Sequence, residues 1–136
     1  MAAMSDYLEN NLILHIFRTG SWTKPTVLAM ALFTAAPSDS GGGTEVTGGS
    51  YARVDRPPLD ANWAAPAAGN GLTDNVADIV FPAPTANWGV ITHFGIFDAL
   101  TVGNLLFHGA LTTAKTVNNG DPAPKFVAGA LDVTLA

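Results

Sequence analysis

Apolar residues recur at Leu8, Leu12 and Ile16, with Ile13 and Phe17 widening the stripe, and this spacing predicts an amphipathic helix over about residues 5–19. Ser5 is placed to cap its start, Asp6 and Glu9 sit in the first turn where the helix dipole favours anions, and Gly20 is placed to end it. The helix begins just past Met4, so Met1 to Ala3 read as an added or alternative leader. The stripe is read first as packing on the protomer's own core and second as docking on a neighbouring chain.

From Pro25 onward the pattern turns to β. Thr26 to Thr34 is apolar on both faces, as a central or doubly covered strand would be. Ala36 to Ser50 is a polar, glycine-rich loop, Ser50 to Val54 a short strand stopped by Pro57 and Pro58, and Leu59 to Gly71 a second loop. Extended segments are then predicted over Asn75 to Phe81, Trp88 to Asp98, Asn104 to Leu111, Lys115 to Val117 and Lys125 to Leu135, with a strong turn at Asn118 to Asp121. Short strands with turns between them predict an all-β fold, an antiparallel β-sandwich of jelly-roll type with one N-terminal α-helix. Residues 1–136 read as a single domain without repeat or linker.

Composition narrows the function. Six Lys and Arg against 11 Asp and Glu leave a net charge of −5, a poor match to a nucleic-acid backbone or an anionic membrane. The apolar stretches around Val27 to Phe33 and Val127 to Leu131 are far short of a membrane span, and the N-terminus lacks the pattern of a secretory signal. There is no cysteine, which excludes disulfides, thiolate metal sites and cysteine nucleophiles. Only 12% of residues are charged while 48% are hydrophobic, a balance suited to a chain whose surface is partly covered by others.

Candidate chemistry is thin. His15, His93 and His108 have no diagnostic metal spacing; His93 and His108 could meet across a sheet with Asp98 nearby, but a structural role is favoured for both. The serines lack a nucleophile elbow, the aspartates lie mostly in turns, and Gly41 to Gly43 lacks the context of a phosphate loop. The chain is therefore not expected to be an enzyme, and no catalytic, metal or cofactor-binding residue is assigned. Among the tryptophans, Trp88 reads as core, Trp22 as an anchor for the helix, and Trp63 as a partly exposed loop residue suited to a protein interface ahead of a carbohydrate. The candidate interface residues are thus Leu8, Leu12, Ile16, Trp22 and Trp63.

Tyr51-Ala-Arg-Val54, Trp88 to Ala99 (with His-Phe-Gly-Ile-Phe-Asp) and Gly103 to Leu111 (with Asn-Leu-Leu-Phe-His-Gly), together with Met4 to Asn10 and Lys115 to Asp121, resemble a family of small tailed-bacteriophage virion proteins commonly labelled tail-fibre proteins. The resemblance covers most of the chain and is weakest over Pro57 to Gly71. It implies a virion structural protein made in the host bacterial cytoplasm, without cofactor. The size and the absence of a shaft or heptad repeat favour capsid decoration, with the chain binding the major capsid protein as a homotrimer and stabilising the shell by mass action. The alternative is a tail-fibre or tail-adaptor protein that contacts tail proteins and the host.

Overall fold

The computed structural model describes residues 2–67 and 69–135. Its main sheet is antiparallel throughout and runs in the order β1 (Ala3–Met4), β8 (Leu105–Val117), β7 (Gly89–Phe97), β2 (Ala29–Ala35). Two short strands, β3 (Thr44–Glu45) and β4 (Val54–Asp55), share the outer edge of β2. β2 reads Ala-Met-Ala-Leu-Phe-Thr-Ala, so both faces need cover; Ala29 to Phe33 are all buried. Opposite one face lie two separate ribbons, β5 (Leu72–Thr73) with β10 (Val133–Thr134) and β6 (Ile79–Val80) with β9 (Lys125–Phe126), completing an antiparallel, sandwich-like all-β fold. One helix, α1 (Asp6–Phe17), joins β1 to the rest.

The core forms where the layers meet. Met30 and Leu32 of β2 and Ile91, Phe94 and Ile96 of β7 pack with Ile79, Phe81, Leu131 and Val133 from the ribbon side. Phe126 closes this layer edge-on against Phe81 at 6.2 Å and Phe94 at 6.0 Å between ring centres. Each such buried side chain contributes about 1.5–3 kcal/mol, which ladders of two residues cannot supply. On the other face Phe33 and Phe97 stack at 6.3 Å. Gly95 sits beneath them because a Cβ there would lie 2.9 Å from the Phe33 ring.

Several expectations are corrected. Met1 to Ala3 lie partly within the fold: Ala2 is buried, and Ala3–Met4 form an edge strand paired with His108 and Phe107; Met1 lies outside the described residues. α1 ends at Phe17, where Arg18 is already extended. Gly20 instead lets the returning chain approach Leu14, where a Cβ would sit 3.1 Å from the Leu14 Cβ. Ser50 and Tyr51 belong to a turn, and the pairing begins only at Val54. Asn75 to Phe81 contributes only Ile79–Val80 as strand, and Lys125 to Leu135 splits into β9 and β10. β8 is continuous, yet its pairing with β7 jumps from Ala110 to Lys115, so the interruption anticipated after Leu111 survives as a bulge.

Candidate functional site

α1 is held at one end. The buried Ser5 hydroxyl bonds the Leu105 carbonyl and accepts from the Leu8 N–H at 3.3 Å, while the Ser5 N–H donates to Leu106 at 2.9 Å. The Asp6 N–H donates to the Asp39 carbonyl, and Leu8 is the helix's buried residue. Beyond it Leu12 is only half-buried. Ile13 and Leu14 are exposed, Ile16 is 65% exposed and Phe17 79%. The stripe therefore does not pack on its own core along its length: the helix leaves the sheet after Leu8. Trp22, half-buried, is tied back to the helix by its backbone N–H, which donates to His15 Nδ1 at 3.2 Å.

Trp63 is half-buried and packs on the core's edge, its Nε1 donating to the Arg56 carbonyl at 3.2 Å. It forms one wall of an open, mainly apolar cavity of about 670 Å³, with Leu28, Ile96, Phe107 and Leu135 among the other walls and Lys24 and Asp60 as its charged members. The structure thus brings Trp63 to a cavity and the helix residues to a separate projecting face. It does not gather Leu8, Leu12, Ile16, Trp22 and Trp63 into one site. Trp88 is core, its Nε1 bonded to the Gly49 carbonyl at 2.9 Å.

The motif residues are engaged in architecture. The Tyr51 hydroxyl accepts from the Leu32 N–H at 3.0 Å and donates to Glu45 Oε1 at 2.9 Å, occupying the gap that β3 and β4 leave on the edge of β2. Burial is the main cause that pushes its phenol well above the ordinary value. Arg53 forms a two-pronged pair with Glu45 at 2.8 Å, lies 3.6 Å over the Phe97 ring, and donates to the Ala99 and Val102 carbonyls. That grip holds Val102 at φ 55, a left-handed conformation costly for a β-branched residue, with its side chain exposed beside Leu100.

Sequence reasoning did not foresee the partners of four residues, Asn75, Glu45, Asp39 and Asp78. Asn75 is fully buried, donating to the Ala77 and Val127 carbonyls and accepting from the Leu131 N–H, each at 2.9 Å. Glu45 and Asp39 lie in loop sequence with nothing local to mark them. The Asp78 carboxylate is held below its ordinary range by Lys125 Nζ at 2.7 Å and the Ala128 N–H at 2.9 Å.

Asp98 binds Asn104 through both oxygens, His108 pairs with Asp39 at 2.8 Å, and His93 bonds Thr92, so the conceivable two-histidine, one-carboxylate set is not assembled. Among the described residues no three His, Asp or Glu side chains converge, and no helix is long and apolar enough to cross a membrane.

A small all-β chain whose polar residues tie loops to a sheet, and whose unpartnered surfaces are apolar, has the build of a structural protein of a larger assembly. That assembly is a tailed-phage particle. Residues 3–134 match the family model of podophage GP4 fiber I protein gp80, and the chain belongs to that family. No curated protein matches it.

Proposed function

We propose that this chain is a tail-fibre component of a podophage particle, attached through contacts with tail proteins and acting by binding and not by catalysis. The observation that carries the reading is the family match, which spans nearly the whole chain and bears a fibre description. The projecting half of α1 supports it, because apolar side chains as exposed as Ile16 and Phe17 are favourable only when another surface covers them. The chain works as a homo-oligomer, a homotrimer in the simplest arrangement.

Capsid decoration is the second reading. The observation favouring it is that exposed apolar residues are spread over both strands (Val80 and Val90) and loops (Val76, Leu100 and Val127) on a chain with 12% charged residues, as suits a subunit wedged among shell proteins.

Phage particles made without this chain separate the two. DNA-filled, heat-stable heads that adsorb poorly to the host would support the fibre. Full adsorption by heads that burst on mild heating would overturn the fibre in favour of decoration.

A further inference from the structure

The chain carries an exposed apolar helix end and, apart from it, an open apolar cavity. The end of α1 presents Ile13, Ile16 and Phe17 on one face at spacings of three and four residues, all exposed. Elsewhere the same chain holds the open apolar cavity of about 670 Å³ walled by Trp63, Phe107 and Leu135. Charge is complementary as well. Arg18 follows the helix as an exposed cation, and the exposed Asp60 lines the cavity. The exposed Lys24, also at the cavity, suits the partial negative charge of a helix C-terminus.

We propose that the C-terminal end of α1 of one copy inserts into the Trp63 cavity of a second copy, with Phe17 as the anchor. The inference rests on the homo-oligomeric reading above and names its contact. Because helix end and cavity are different surfaces, the contact either is exchanged reciprocally in a two-fold dimer or repeats head-to-tail, closing into a ring or continuing as a filament. A closed ring of three would yield the homotrimer. An apolar knob in a cavity, flanked by paired charges, is also the arrangement from which dominant interface residues are drawn.

The absence of cysteine makes a direct test clean. Thr19, just past the helix end, and Leu135 are both exposed, so Thr19→Cys and Leu135→Cys are each expected to fold, and Phe17 stays in place. The two single variants are co-expressed, purified together and treated with a short bismaleimide, and the oligomeric state of the unmodified protein is measured by light scattering. The proposal expects a covalent dimer in the mixed sample at least tenfold more abundant than in either variant alone. Phe17→Asp should shift the assembly to monomer with its circular dichroism unchanged. An unmodified protein that is monomeric at every concentration would overturn both this contact and the homo-oligomeric reading. A stable oligomer with no product joining residues 19 and 135 would overturn the contact alone. Crosslinking of Thr19→Cys in assembled particles to another virion protein, and not to this chain, would assign the helix to that protein and also overturn the proposal.

Discussion

Asn75 ties three backbone groups from two distant segments to one side chain, and no apolar residue can replace it. Asn75→Ala would leave the Ala77 and Val127 carbonyls and the Leu131 N–H without that partner in a dry site. The expected loss is about 2–4 kcal/mol in urea unfolding, from the desolvation of those groups. Asp78 makes the fold sensitive to acid. Its folded carboxyl titrates below the ordinary 3.8, so its contribution is fully present above that value and is lost as pH falls through the lower, folded one. Thermal unfolding of Asp78→Asn should therefore fall less steeply than wild type between pH 4 and pH 2. Equal slopes would contradict the assignment. Tyr51 has the opposite sign: its raised phenol favours the protonated form, so its contribution fades as pH rises above 10.0. At this scale the sequence marked Tyr51 and Arg53 through a motif but not their purpose. Both converge on Glu45, and a convergence set by three-dimensional turns leaves no local spacing to read.

Helix α1 shows what periodicity reports at the scale of elements. Its 3.6-residue stripe and Ser5 cap were legible because both are local. Periodicity says that a face is apolar, not which molecule covers it, so reading the stripe as the protomer's own core held for Leu8 and failed for Ile16. The two positions should respond differently. Leu8→Ala is expected to cost about 2–4 kcal/mol as a buried cavity, whereas Ile16→Ala should change the unfolding midpoint of dilute protein by less than about 0.5 kcal/mol. Equal losses would contradict a projecting helix. The central strands β2, β7 and β8 were legible for the same local reason, long runs of apolar and β-branched residues. The segments holding β6, β9 and β10 were legible as extended, but β5 was not, nor was the pairing of either ribbon, because two residues carry no period and the partners lie far apart in the chain, where Asn75 and Lys125 reach across. Trp63 marks the same limit at the candidate site. A loop tryptophan among polar neighbours signals partial exposure, but the cavity it walls is assembled from distant strands.

For the whole molecule, few charges and much exposed apolar surface suit the proposed part, one that works when covered by neighbours. Membership of a fibre family identifies the assembly as a phage particle. The proposed place on the tail makes a quantitative demand, since a tail offers few attachment points and a shell offers many. The most direct measurement is the copy number of this chain in purified virions relative to the major capsid protein, by quantitative mass spectrometry with labelled peptides. A tail fibre predicts a small fraction of the capsid count. A number comparable with the capsid protein would contradict the tail and establish decoration, and absence from the particle would contradict a structural role of either kind.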